Sequence, residues 1–326
     1  MDDSTPQSAT FLVFGDLHGR ILPAFRFASY WAKLTGRDVA GLLQVGDLGY
    51  FPDISRMDKA TLRHAKDDPL ELGTLDVATR TELADRIFDE DPLCPPGLWF
   101  TAGNHEDFEE LERFAQASGR DQHDFAVDAY CRVRGIKDGE VHLFGCSDET
   151  LGRLSPSSVH STPFSQDRDN LNQGFNRTGC GLKVAAIWGV DGGGPNARQN
   201  LPPRGYIAEK AVDRLTLEAF DVLLMHDAPE GAKREGYGSD LLRALIELAQ
   251  PQFAFFGHYR GDGHKIEQDF GRTEVFHLAG FELRTRDGHP ESGSVGVLEW
   301  TEGEGTFEFI PDEDLKPFTR HNWKWV

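Results

Sequence analysis

Five apolar runs, each ending in a short glycine- or histidine-led polar motif, constrain this chain more than any other feature. FLVF at 11–14 leads into GDLHG at 15–19, LLQV at 42–45 into GDLG at 46–49, and LWFTA at 98–102 into GNHE at 103–106. Further on, VLLM at 222–225 precedes HDAP at 226–229, and FAFF at 253–256 precedes GHYR at 257–260. Short continuous apolar runs bounded by glycine and polar residues predict buried strands of an α/β sheet. Asp, His and Asn side chains are then delivered to the carboxyl ends of several strands, where open α/β sheets place their sites. Hard oxygen donors mixed with imidazoles suit divalent manganese, iron or zinc.

The spacing agrees with this chemistry. Asp16 and His18 are two residues apart, so at a strand end both can point to one side. Between Asp16 and Asp47, residues 20–34 carry apolar Ile21, Phe25, Phe27 and Trp31 and are compatible with a helix. A strand–helix–strand unit of about 30 residues brings the two carboxylates to adjacent parallel strand ends. Gly15, Gly46 and Gly103 each precede a candidate ligand, where the missing Cβ permits a sharp turn and close approach to an ion or phosphate.

Together these motifs resemble the calcineurin-like metallophosphoesterase superfamily, whose pattern runs D-x-H, G-D, G-N-H-E/D, H and G-H-x-H. The match runs in order from Phe11 to Arg260, without recognisable similarity between the motifs. The resemblance implies an α/β fold, a four-layer α/β/β/α sandwich of two mixed sheets flanked by helices. It also implies two divalent metal ions, with Mn2+ as the expected ion and Fe or Zn2+ as alternatives. Asp16 and His18 would bind the first metal, Asp47 would bridge both, and Asn104, His226 and His258 would bind the second. His105 would contact the phosphate and protonate the leaving oxygen, with Asn104 beside it at the substrate. Glu106 has no ligand role in this pattern and is read as an orienting partner for His105.

One position departs from the pattern. Where the family has G-H-x-H, this chain reads Gly257-His258-Tyr259-Arg260. An arginine is cationic at any accessible pH and has no lone pair to donate, so it cannot be a ligand. Three readings stay open. Asp262 or His264, just downstream in a glycine-containing stretch, folds back to fill the gap. Alternatively, Arg260 points inward and clamps the substrate phosphate, a role suited to a planar guanidinium. In the third reading it turns away and pairs with a surface carboxylate.

Charge counting indicates the reaction. Two divalent ions against Asp16 and Asp47 leave a positive cluster that attracts a phosphate dianion or diester. Two metals about 3.5–4 Å apart lower the pKa of a bridging water and clamp the oxygens of an in-line displacement. The expected activity is hydrolysis of a phosphodiester or phosphomonoester of a nucleotide or other small substrate. Metal-bound hydroxide would attack directly, with Asp47 and His105 as the catalytic residues and His105 as general acid. The protein serine/threonine phosphatases carry GDxVDRG, whereas Asp47 here is followed by Leu48-Gly49-Tyr50-Phe51-Pro52, which argues against that branch. HDAPEG, then Gly238-Ser239-Asp240, then PQFAFFGH is similar to the branch containing lariat-debranching enzymes, so a nuclease is an alternative. Arg260 motivates another, a catalytically inactive metal-binding or scaffold protein.

The net charge of −20 and the absence of a basic footprint argue against nucleic acid and anionic membranes as partners, and for a small phosphoester substrate. No run approaches a membrane span, and residues 1–10 lack the regions of a signal peptide. Cys94, Cys131, Cys146 and Cys180 follow no ligand or redox pattern, so reduced thiols and a cytoplasmic location are expected.

The expected organisation is a disordered stretch at 1–10, one domain over 11–315 and a C-terminal tail at 316–326. Insertions interrupt the domain near 54–92, as short helices broken at Gly73, and near 147–181, as a long excursion of the kind that forms lids. Helices are predicted at 107–117, 208–220 and 240–249, and strands at 141–145 and 182–188. Residues 276–283, 295–300 and 306–310 alternate in the manner of antiparallel strands, the last two as a hairpin. Arg198 and Arg204 are noted as phosphate contacts of low specificity. The histidines outside the motifs are read as surface or hydrogen-bonded residues, and Tyr50 and Phe51 as core.

Overall fold

In the computed structural model, which describes residues 8–145, 181–193 and 201–326, the first strand, β1 (Ser8–Phe14), feeds two cores at once. Leu12 and Phe14 pack with Ile21, Phe25 and Phe27 of helix α1 (Ile21–Thr35). Phe11 and Val13, on the opposite face, pack between two sheets. Side chains alternate across a strand, so burial on both faces is what makes such a run continuously apolar.

The first sheet contains β1, β2 (Gly41–Gln44), β3 (Leu98–Phe100), β4 (Asp124–Ala126), β5 (Val133–Ile136), β12 (Val295–Thr301) and β13 (Glu304–Phe309). Its order is β13-β12-β1-β2-β3-β5-β4, parallel from β1 through β5 and antiparallel at both margins. The second contains β6 (Glu140–Phe144), β7 (Leu182–Ala186), β8 (Val222–Leu224), β9 (Phe253–Phe256), β10 (His264–Lys265) and β11 (Glu274–His277). Its order is β10-β11-β9-β8-β7-β6, with four parallel strands between two antiparallel edges.

Between β2 and β3 lie helices α2 (Lys59–Asp67), α3 (Leu75–Ala78) and α4 (Glu82–Phe88), and after β3 comes α5 (Phe108–Ala117). Helices α6 (Glu209–Leu215) and α7 (Asp240–Ala249) flank β8 in sequence. Val222, Leu224, Phe253 and Phe255 face the first sheet, whereas Leu223, Ala254 and Phe256 pack with Leu242, Leu245 and Ile246 of α7. The result is the four-layer α/β/β/α sandwich of two mixed sheets that the resemblance implied. Its topology brings Asp16 and Asp47 to adjacent parallel strand ends, because β1 and β2 pair in parallel.

Several details differ from the sequence reading. Strand β1 begins at Ser8, inside the stretch read as disordered. Residues 276–283 are not one antiparallel strand: β11 ends at His277 and pairs in parallel with β9. The chain then leaves the sheet and crosses the end of β1, where Phe281 N–H donates to Asp16 O at 2.8 Å. The apolar pattern there reflects Leu278, Phe281 and Leu283 entering the cores, which burial demands of a crossing segment as well as of a strand. Residues 316–326, read as a tail, bring Phe318 and Trp323 into the main core. The proposed lid, apart from its last residue, lies outside the described residues, as do Cys146, Cys180 and Arg198. No helix among the described residues is long and apolar enough to cross a membrane.

Candidate metal centre

The six residues expected to bind metal lie just past the carboxyl ends of β1, β2, β3, β8 and β9. The structure gathers five of them, all but Asn104, into two overlapping donor groups. Asp16, His18 and Asp47 form one, and Asp47, His226 and His258 the other, with one donor atom from each residue within 4.8 Å of the others in its group. Asp47 Oδ2 is the shared atom: it lies 3.2 Å from His226 Nε2 and 3.8 Å from His18 Nε2. His226 Nδ1 is 3.1 Å from Val45 O, which directs its Nε2 into the cluster.

The backbone holds this geometry by cross-bracing. Leu17 and His18 donate their amides to Asp47 O, and Asn104 and His105 donate theirs to Asp47 Oδ1 at 2.7 and 2.8 Å. His258 N–H donates to Asp16 Oδ1 at 3.1 Å. Three of the donors adopt left-handed backbone angles, His18 (φ 41°), Asp47 (φ 51°) and His258 (φ 67°). Each such residue costs about 1–3 kcal/mol and persists only when its surroundings over-determine it. The motif glycines admit neighbouring ligands to one another. A Cβ on Gly46 would lie 2.7 Å from the His226 ring, and one on Gly257 would lie 2.1 Å from Asp16 Oδ1.

The buried charges of the cluster shift one another in opposite directions. Burial pushes the Asp16 carboxyl up to about 6, aided by Asp47 and opposed by His226 and His18. Burial also disfavours ionised Asp47, but His226 and His105 outweigh it and hold Asp47 well below the usual range. His226, whose burial works against protonation, is pushed up to about 9 by Asp47 and Asp16. The Asn104 side chain is buried with neither Oδ1 nor Nδ2 hydrogen-bonded among the described residues. A buried amide normally finds a partner, and its oxygen is a hard donor for a divalent ion. The residues present therefore fit a pair of divalent cations, whose binding would displace the proton from His226.

His105 is oriented differently from the sequence reading. Buried Glu106 accepts from the amides of Leu48 and Tyr50 at 2.8 and 2.7 Å, clamping the loop after Asp47. The partner of His105 is Asp58, whose Oδ2 lies 2.9 Å from His105 Nδ1. Asp58 Oδ1 caps α2 by accepting from Ala60 and Thr61. Partial burial opposes its charge, but the His105 hydrogen bond helps to hold it well below the usual range. In sequence Asp58 carries only the signal of a helix N-cap, and nothing local ties it to His105.

Arg260 is exposed, and its charge acts on the half-buried Glu291. Neither Asp262 nor His264 belongs to a donor group: His264 is exposed on β10, with Nδ1 3.0 Å from Asp262 O. Arg204 pairs with Glu112 on the surface. Buried Tyr50 donates to Val127 O at 2.6 Å, and Phe51 is buried beside it. Buried His277 bonds Tyr259 O through Nε2 at 2.9 Å, a structural use of a histidine outside the motifs.

No family model matches this chain, and no curated protein does. Among solved structures it is similar to TT1561 of Thermus thermophilus, at 14% identity and TM-score 0.44, over 94% of this chain and 100% of that one. It is also similar to a conserved uncharacterized protein of Streptococcus pneumoniae described as a predicted phosphoesterase, at 8% identity and TM-score 0.33, over 95% and 92%. A third is the 5'-nucleotidase of Candida albicans, at 12% identity and TM-score 0.41, over 99% of this chain and 54% of that one. Likenesses this distant carry no argument about activity. The chain's own architecture is two mixed sheets between helices, with a shared-carboxylate donor set at the strand ends.

Proposed function

We propose that this chain is a metal-dependent phosphoesterase that hydrolyses a small phosphodiester or phosphomonoester, such as that of a nucleotide, with Mn2+ as the working ion. The observation that carries this reading is Asp47, one buried carboxylate common to two donor groups at the strand ends. Two divalent ions held there would supply a Lewis acid that lowers the pKa of water and neutralises phosphate charge. Asp16, His18, Asp47, Asn104, His226 and His258 hold and orient that centre. His105, half-buried beside His18 with ring centroids 5.6 Å apart, is the general acid that delivers a proton to the leaving oxygen. Asp58 holds its ring through Nδ1, and Nε2 is assigned to carry that proton. Arg260, exposed two residues past His258, contacts the substrate phosphate from the rim. The chain charge of −20 favours a small substrate over long nucleic acid.

The test is elemental analysis of the purified protein with turnover of aryl phosphomonoesters and phosphodiesters after Mn2+ loading. Metal-dependent turnover that chelation removes is the expected result. A fully loaded protein without turnover on either ester would move the chain to the inactive metal-binding class, and turnover confined to branched or long nucleic acid would move it to the nucleases.

A further inference from the structure

Resting on the phosphoesterase reading above, we propose that Glu282 supplies the donor that Arg260 cannot, completing the shell of the first metal. Glu282 Oε1 lies 3.9 Å from His18 Nε2, the ring nitrogen that is itself 3.8 Å from Asp47 Oδ2. Donors each about 2.1 Å from a shared ion stand about 3–4 Å from one another. The separation from His18 suits joint ligation and is too long for a hydrogen bond between the two side chains; Glu282 stands outside the group formed by Asp16, His18 and Asp47, so ligation requires its carboxylate to turn toward Asp47 as the ion enters.

Glu282 is delivered there by the segment that crosses the end of β1. The amide of Phe281, its neighbour, is bonded to Asp16 O, and Ala279 N–H donates to Gly293 O at 3.1 Å. On its other side buried Leu283 takes a left-handed φ of 54°, which only a well-anchored segment tolerates. The second carboxylate oxygen, Oε2, pairs with Arg284. Arg284 also pairs with buried Glu71, and Glu71 pairs with buried Arg20 at 2.9 Å. Arg20 donates in turn to the carbonyl of His18. His18 and Glu282 are therefore braced by one chain of ion pairs, leaving Oε1 for the metal, in the way outer-shell partners orient ligands. The first pocket becomes rich in carboxylates (Asp16, Asp47, Glu282), whereas the second keeps two imidazoles. Harder donors at the first pocket favour Mn2+ over Zn2+ there.

The test uses the full chain, stripped by chelation and reloaded with Mn2+, with bound metal counted and its electron paramagnetic resonance recorded. Wild type is expected to hold two ions with an exchange-coupled spectrum. Glu282→Gln is expected to lose one ion and show the six-line spectrum of isolated Mn2+, while Glu282→His restores the coupled pair. Melting temperatures of the metal-free variants check that both are folded. A Glu282→Gln protein that binds two coupled ions with wild-type affinity overturns the proposal and leaves the phosphoesterase reading intact. Wild type that binds no Mn2+ overturns that reading, and this proposal with it.

Discussion

Asp124, at the margin of the first sheet, and Asp16, at the end of an interior strand, are both buried carboxylates with histidines nearby, yet the protein treats them in opposite ways. Asp124 accepts from Arg134 through both oxygens, at 2.6 and 2.9 Å, and from Trp99 Nε1 at 2.9 Å. Burial opposes its charge, but these bonds hold the carboxyl down to about 2. Asp16 has one backbone amide, from His258, and a second carboxylate nearby, and is pushed up to about 6. The first cluster is complete as a piece of architecture, and its backbone is ordinary strand. The second offers its carboxylates and imidazoles as a donor set and sits on three left-handed residues. A buried ion pair with its hydrogen bonds satisfied fastens two elements, whereas a buried carboxylate with a raised pKa inside a donor cluster marks a candidate functional site.

Substitutions at the two clusters should therefore differ in kind. Asp47→Asn removes the shared carboxylate and is expected to lower kcat by about 10²–10³-fold and reduce bound metal, as read by steady-state kinetics and elemental analysis. Near-normal turnover in that variant would break the contrast. Asp58→Asn leaves the metal donors alone but frees the His105 ring. It should lower kcat by about 10–10²-fold at little change in KM, with the larger losses on esters of poor leaving groups. Equal losses across leaving groups would deny His105 its role as acid.

The third change tests the structural cluster. The depressed Asp124 carboxyl contributes stability above its unfolded pKa that is lost as pH falls from 3.8 toward about 2. Asp124→Asn should cost about 2 kcal/mol at neutral pH, a difference that shrinks across that acid window in denaturant titrations. Asp16 has the opposite sign. Its raised carboxyl leaves metal-free stability greatest below 3.8, and that stability declines as pH rises through about 6. Asp16→Asn should thus stabilise the stripped protein at neutral pH, while weakening metal binding. Destabilisation of the stripped Asp16→Asn protein would place Asp16 in the same class as Asp124.

Much of the frame was legible because burial leaves local marks. The run Phe253–Phe256 is apolar at every position because Phe253 and Phe255 face one core and Ala254 and Phe256 the other. The helix over Asp240–Ala249 is bounded in sequence by its Ser239 cap, which accepts from Leu242. Short β4 and β5 lack such marks, since their sequences DFA and VRGI mix charged residues and glycine into runs too short to stand out as apolar. The crossing segment after β11 imitated a strand because its buried side chains alternate with polar ones.

The polar insertion near 54–92 was the least legible part, and it contributes most to the site's support. It supplies Asp58 to His105, and Asp68 and Glu71 to buried Arg20. By itself the sequence determined which donors exist, their order along the chain, and their places at strand ends, because those depend on residue type, strand burial and turn chemistry within a few residues. Only the tertiary structure decided that Asp58 orients His105, that Asp262 and His264 stay outside the donor groups, and that Glu282 comes to stand beside His18. Each of those outcomes depends on a separation of a few ångströms between segments far apart in the chain. Such separations follow from how the sheets, the insertion and the crossing segment pack, and no local pattern of residues encodes them.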